Sequence, residues 1–553
     1  MIERNYIIPV RKRILKSYKI SPEKATEADS TDYSIITTMT REAIEELCFD
    51  ADIGTIEEYI EPEVAACNEF PSGCQKFKSL ANAVYNPASG MNPLYMGNNI
   101  NSATFESGIH PDVVGCFGAR GSILGTIETN PSTTNEHAHS NFTFECLSQT
   151  ATMATLFHKI SYYYYYSSNV DWIINNGINT VSQSYVKYGS PTSQENRVVD
   201  HFAYRWPYPT FVTLTGNRGY CYNVLWQCYN AVQVGNVRYT NETTYEMMGL
   251  NSPCESGVDS AQAWEDPISQ GKNPVPATSF SFPFVLDCVN LGGCATNYSS
   301  DREMPHLVSP GYAAFPCGHS TTCIENTFGG GGVAGTSLSA PVANGIAACV
   351  QSAKPSVFKL YPELTRVALI LTAHNVHGGY WSPVIDGIDG TGVISGVDAV
   401  YFARNASQLR SPGSTAVQSG YYAGFIPQNT GSTYSITFNI AIPSSFPSGK
   451  HLRIVLTWDS SPSMAAGSSI NEAADFDLVV PGKICPGRGT DNWGSYESTV
   501  EVAELMNNQL TPGTPITAQV LVWPFTINTN AYNKSLNGVY YAIGWTWIKD
   551  NAN

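Results

Sequence analysis

Between residues 67 and 408, strand-like apolar runs alternate with runs spaced as helices, and this alternation constrains the fold more than any other feature. The strand-like runs include NSATFESGI (101–109), ISYYYYYSS (160–168), INTVSQS (178–184), PTFVTLTG (209–216) and NAVQVGNV (230–237), and VDWIINNG (170–177) has helical spacing. Strands joined through helices pair in parallel, with helices covering both faces of the sheet. The run Tyr162–Tyr166 is expected within a buried strand. After SQLRSPGSTA (407–416), whose Ser, Pro and Gly content reads as a linker, the pattern becomes strands without helices. YSITFNIAI, HLRIVLTW, FDLVV, YESTVEVAEL, ITAQVLVWPF and GVYYAIGWTW predict an antiparallel sandwich over 417–553. Residues 1–66 hold most of the charge runs, with helical spacing in REAIEELCFD (41–50). The zones expected are therefore 1–66, 67–408 and 417–553, and no internal repeat is seen.

The 553 residues suit two to four domains. With 42% hydrophobic and 14% charged residues, a sizeable core is expected and wholesale disorder is excluded. A net charge of −16 argues against nucleic acid as the main partner, since phosphate binding needs clustered Lys and Arg. No apolar run approaches the ~18 residues of a membrane helix. Fourteen cysteines, with short-range pairs Cys67/Cys74, Cys221/Cys228, Cys288/Cys294 and Cys317/Cys323, lack doubled zinc spacing and read as disulfides. Asn-x-Ser/Thr sequons start at Asn141, Asn241, Asn297, Asn405 and Asn533. A secreted, extracellular or lumenal glycoprotein is expected. MIERNYIIPVRKRILKSYKI nevertheless lacks the apolar core of a signal peptide.

The segment that bears most chemistry is GGGGVAGTSLSAPVANGIAACV (329–350). A glycine run leads through Gly335-Thr336-Ser337 into small residues suited to a close-packed helix. Ser337 then stands at a helix N-terminus, where N–H groups and the helix dipole favour a developing oxyanion. Pro341 is expected in the first turn, where its missing N–H costs nothing. GTSLSAP resembles the nucleophile motif of the subtilisin-like serine proteases, the subtilases. That resemblance implies a three-layer α/β fold with a subtilisin-like parallel sheet, and the catalytic order acid, histidine, oxyanion asparagine, serine. TLTGNRG (213–219) resembles the oxyanion segment, making Asn217 the side-chain donor. In NEHAHSNF (135–142) the register with the family's His-Gly-Thr favours His137 as general base, with His139 the runner-up. A histidine suits that role because it titrates near neutrality. Glu106, followed by Ser107-Gly108, stands where the family carries aspartate. Glutamate can orient the imidazole in the same way, although it reaches about one bond further. Asp112 is a weaker substitute acid. Sedolisins share the fold, but Asn217 and the histidines fit subtilases better.

Further expectations follow from the resemblance. INTVSQSYV (178–186) resembles the edge strand that pairs with extended substrate, so Ser184 and Tyr185, with Gly216 and Thr336, are the substrate-binding candidates. IEELCFDADIGTIEEYIEPEVAAC (44–67) resembles the end of an inhibitory propeptide, with cleavage near Glu63–Phe70, implying a zymogen. Residues 451–505 resemble a jelly-roll sandwich appended to secreted subtilases, and Asp475, Asp477 and Glu501 are candidate calcium ligands there. No cofactor is required for the chemistry, and a monomer acting on protein or peptide is expected. The reading is a serine endopeptidase using Ser337, His137, Glu106 and Asn217. Its rivals are a pseudoprotease that binds extended peptides and a peptide ligase on the same scaffold.

Overall fold

The computed structural model describes residues 95–119, 122–131, 135–161, 167–184, 199–200, 209–215, 228–239, 245–247, 305–314, 332–374, 390–459, 474–483, 499–525 and 538–549. The propeptide-like zone, Tyr162–Tyr166, Tyr185, Gly216 and Asn217 lie outside them.

The first sheet comprises β1 (Asn101–Glu106), β2 (Ile123–Ile127), β3 (Thr155–Ile160), β4 (Thr180–Gln183), β5 (Thr210–Leu214), β6 (Ala231–Tyr239), β7 (Tyr245–Met247) and β8 (Leu307–Pro310). The order is β2-β3-β1-β4-β5-β6, all parallel, with β8 parallel and β7 antiparallel along β6. This is the expected α/β architecture. Strand β3 ends at Ile160, and the tyrosine run that follows Ser161 lies outside the described residues.

Strand β1 shows how both faces are covered. Phe105 meets Trp172 of α3 (Ser167–Asn175) edge-on at 5.6 Å. Ser102, Thr104 and Glu106 alternate with Ala103 and Phe105, and all five are buried. The polar set faces the other layer, which holds α2 (Asn135–Thr150) and α4 (Thr336–Ala353). Helix α1 (Pro111–Ala119) packs beside β2 and α2, and β9 (Tyr312–Ala314) and β10 (Gly332–Ala334) form an antiparallel pair. The short α5 (Pro355–Phe358) leads to α6 (Pro362–Leu371), and α7 (Gly396–Asn405) closes the unit.

The remaining strands form two sheets of a sandwich. One runs β11 (Ser407–Gln408), β12 (Gly420–Pro427), β18 (Gly538–Lys549), β14 (Lys450–Trp458), β16 (Val500–Leu505). The other runs β13 (Tyr434–Ile440), β17 (Ile516–Val522), β15 (Phe476–Val479). All their pairings are antiparallel except β11 with β12. Trp458, Phe476, Phe525, Phe438 and Trp545 fill the space between them. Residues 407–416 are bonded into this unit: Leu409 N–H donates to Tyr421 O and Gly413 N–H to Thr437 O.

The sandwich packs closely on α6. A Cβ on Gly544 of β18 would stand 2.6 Å from Val367 Cγ1, so only glycine lets the helix settle there. Beside it, Arg453 of β14 is buried, its Nε bonded to Glu504. Its Nη1 donates to the carbonyls of Ile370, Leu371 and Ala373, and its Nη2 to Thr391 O at 3.1 Å. His451 Nε2 lies 3.3 Å from Glu504 Oε2. Burial alone would push the Glu504 carboxyl up, but the charges of Arg453 and His451 outweigh it and hold it below the ordinary carboxylate range.

Two covalent expectations are corrected. Asn141 is buried in α2 and its side chain accepts the His110 N–H, so that sequon is closed to a glycan, whereas Asn405 at the end of α7 is exposed. Cys228 is a thiol rather than half of a Cys221–Cys228 disulfide, and its Sγ accepts from Gln233 Nε2 at 3.4 Å. Short sequence spacing had suggested both features, and for Asn141 burial overrules it.

Candidate active site

Glu106 is the last residue of β1, and its backbone carbonyl is held by the Ser161 N–H at 3.0 Å. Its Oε2 lies 3.2 Å from His139 Nδ1, with both side chains buried. The contact anticipated for His137 is thus made by His139. Residues two apart on a helix point ~200° apart, so one of the two can face β1. The neighbouring bonds from Ser140 to Ser107 and from Asn141 to His110 fix the rotation that chooses His139. The His137 side chain lies outside the described ones. In the sequence, only the HAH repeat itself signalled the second histidine.

Ser337 is the second residue of α4 and is buried. Its Oγ has no hydrogen-bond partner among the described residues. The turn into the helix is fixed by Gly335 N–H donating to Gly311 O at 2.8 Å. A Cβ on Gly311 would meet Ser339 Oγ, Asn236 Oδ1 and Gly335 O within 2.5 Å, so glycine is required for this approach. Because α4 begins at Thr336, Pro341 is its sixth residue and lies in the helix interior, not the first turn as expected. Its missing N–H leaves the Ser337 carbonyl without its i+4 donor.

Helices α2 and α4 both run antiparallel to β1. Along α2, Ser140 meets Ser107, while Met153, just beyond its end, bonds Met96. Along α4, Asn344 Nδ2 donates to Ala103 O and the Gly97 N–H reaches Ser352 Oγ. Cys349 of α4 contacts Thr150 O of α2 at 3.6 Å. Counting back from that contact at 1.5 Å per residue places His139 ~16 Å and Ser337 ~18 Å away, on the same side. The serine and the histidine–glutamate pair therefore share the level at the carboxyl ends of the strands. Open parallel sheets generally bind ligands at that edge.

Of the other predicted residues, Ser184 is buried just after β4 and Thr336 is buried at the start of α4. Asp112 lies in the first turn of α1. Of the candidate calcium ligands, Asp477 accepts the Trp523 indole N–H at 2.6 Å. Among the described residues, no group of three or more His, Cys, Asp or Glu could hold a metal ion. No described helix is long and apolar enough to cross a membrane.

One rung below Glu106, Thr104 Oγ1 lies 2.7 Å from His158 Nδ1. Complete burial pushes the His158 pKa down to about 3, so this ring is neutral beside the Glu106–His139 pair. The sign of the linkage is definite. Between the unfolded value of ~6.5 and the folded value, the unfolded chain binds the extra proton, so stability falls as pH drops through that window. His158 alone contributes a slope of about 1.4 kcal/mol per pH unit there. Denaturant titrations of wild type and His158→Gln between pH 6.5 and 4.5 are expected to show that component only in the wild type.

Residues 151–392 match the model of the subtilase family. Over this region the chain is similar to the subtilases. The match supports a subtilisin-like serine peptidase, a hydrolase. It includes Ser337 and starts beyond Glu106 and His139, which the structure brings to the subtilase region through β1 and α2. Among solved structures the chain is similar to fervidolysin from Fervidobacterium pennivorans, a keratinolytic enzyme related to subtilisin. Identity there is 13%, covering 83% of this chain and 75% of that one, with a TM-score of 0.35. It is similar also to a serine protease of Aeromonas sobria, at 12% identity over 82% of this chain and 89% of that one, TM-score 0.36. Pseudomonas sedolisin, a serine-carboxyl proteinase, is 14% identical over 60% and 100% respectively, TM-score 0.38. No curated protein matches the sequence.

Proposed function

We propose that the chain is an endopeptidase that cleaves extended polypeptides through an acyl-enzyme on Ser337, with His139 as general base and Glu106 as its orienting acid. The buried 3.2 Å contact between Glu106 and His139 supports this reading most directly. It commits Nδ1 to the carboxylate and leaves Nε2 as the proton acceptor. Ser337 Oγ attacks the scissile carbonyl and passes its proton to His139. The same proton then goes to the leaving amine, and water repeats the sequence to free the acid. The Ser337 N–H in the first turn of α4 and the Asn217 side chain are the oxyanion donors in this scheme. The chain beyond β4, from Ser184, takes the substrate as an added strand.

The test is a pair of single substitutions in the full-length chain. With a quenched fluorescent peptide mixture, His139→Ala is expected to lose turnover by ~10⁴-fold or more, whereas His137→Ala retains it. Loss in His137→Ala with retention in His139→Ala would overturn the assignment. A folded wild type without turnover or serine labelling would instead favour a peptide-binding pseudoprotease.

A further inference from the structure

Resting on that assignment of acid and base, we propose that Ser140 is a positioning residue, a latch that sets the distance between Glu106 and His139. A glutamate side chain has one more rotatable bond than an aspartate, so its carboxylate sweeps a larger volume unless its backbone is held. The carboxylate itself is barely restrained. Oε2 touches His139, and Oε1 has no hydrogen-bond partner among the described residues. The restraint lies in the backbone on either side. The Ser107 N–H, next to Glu106, donates to Ser140 Oγ at 3.1 Å, and the two serine hydroxyls lie 2.6 Å apart. The His110 N–H donates to Asn141 Oδ1 at 3.1 Å. Three consecutive residues of α2, His139, Ser140 and Asn141, thus grip the strand end at Glu106, Ser107 and His110, and all but His110 are buried.

The central bond is the one that matters for geometry. Ser140 follows the base and Ser107 follows the acid, so their contact closes a ring that includes Glu106 and His139. With Ser140 bonded to both the backbone and the side chain of Ser107, the helix can neither rotate nor slide along β1 without breaking two hydrogen bonds in a dry environment. Orphaning the Ser107 N–H there costs more than the bond itself contributes. Asn141 adds a second anchor three residues further along the strand side.

The test compares Ser140→Ala with Ser140→Thr, which keeps a hydroxyl at the same position. Two readouts are used on the full-length chain: steady-state kinetics, and the low-field proton NMR resonance of an imidazole N–H bonded to carboxylate. Ser140→Ala is expected to lower kcat ~10- to 100-fold with KM unchanged. It is also expected to broaden or shift upfield the N–H resonance, with an unchanged circular dichroism spectrum. Ser140→Thr is expected to restore both. A Ser140→Ala variant with wild-type kcat and an unmoved resonance would overturn the latch, as would a loss that Ser140→Thr does not rescue while folding normally. The resonance also separates the two levels of argument. If the wild type neither turns over peptide nor labels at serine, the peptidase assignment has failed. A Ser140-dependent change in the N–H signal would then still uphold the latch, and its absence would sink it.

Discussion

Replacing Ser337 with alanine in the full-length chain is expected to abolish peptide hydrolysis, with kcat falling ~10⁶-fold, while stability changes little. The size follows from the non-additive behaviour of serine–histidine–acid sites, where losing the nucleophile costs about as much as losing the whole set. The small effect on stability follows from the local packing. Ser337 Oγ is buried without a hydrogen-bond partner among the described residues, so its removal leaves no partner unsatisfied. The backbone turn depends instead on Gly335 and Gly311. Steady-state rates with a fluorescent peptide mixture, alongside urea titrations, check both halves. A variant that loses activity together with several kcal/mol of stability would show Ser337 to be a structural residue.

The second large effect is expected at the seam between the catalytic unit and the sandwich. Arg453→Met should destabilise the protein by ~3–5 kcal/mol, the range found when one partner of a buried ion pair is removed. The substitution leaves the unexposed Glu504 with His451 but without its arginine, and withdraws the donor from four backbone carbonyls at Ile370, Leu371, Ala373 and Thr391. The Arg453→Met, Glu504→Met double variant should recover part of the loss, because the buried carboxylate that has lost its arginine is gone, though the carbonyls remain. The effect should reach the active site. Thr391 donates to His306 O, Gly392 accepts from Val308 N–H in β8, and Gly311 just beyond β8 holds Gly335. Activity and the sandwich's tryptophan fluorescence are therefore expected to be lost at one denaturant midpoint. Separate midpoints, or a loss below ~1 kcal/mol, would show that the two units are energetically independent.

What could be read from the sequence divides along physical lines. The place of Ser337 at a helix start was legible because its signal is local: a glycine turn followed by small residues needs no distant partner to be interpretable. The strands at 101–106, 180–183, 210–214 and 231–239 were legible for the same reason, as were those of the sandwich from 434 onward. The general base was not settled, because choosing between His137 and His139 depends on the rotation of α2 about its axis. That rotation is set by contacts with β1 thirty residues away, and α2 is buried on too many sides for its pattern to show a phase. Pro341 was misplaced because α4 begins five residues before it, at Thr336, and the glycine run does not mark the first hydrogen-bonded residue. The strand β12 went unread since its aromatics follow a Ser/Pro/Gly stretch that looks like a linker. Arg453 is the clearest case. Alternation along HLRIVLTW puts it on the face opposite Leu452, Ile454 and Leu456, which would ordinarily face solvent. Here that face is covered by α6, so both sides of β14 are buried.

The most direct test of the central claim is site-mapped labelling by a fluorophosphonate, which reacts only with an activated serine. On the full-length wild type, intact mass and peptide mapping should find one adduct, on the peptide that contains Ser337. Labelling should be lost in Ser337→Ala and slowed at least ~100-fold in Glu106→Ala, because the imidazole would lose the carboxylate that fixes its tautomer. Labelling of a different serine, or rapid labelling of Ser337 that is indifferent to Glu106, would contradict the account.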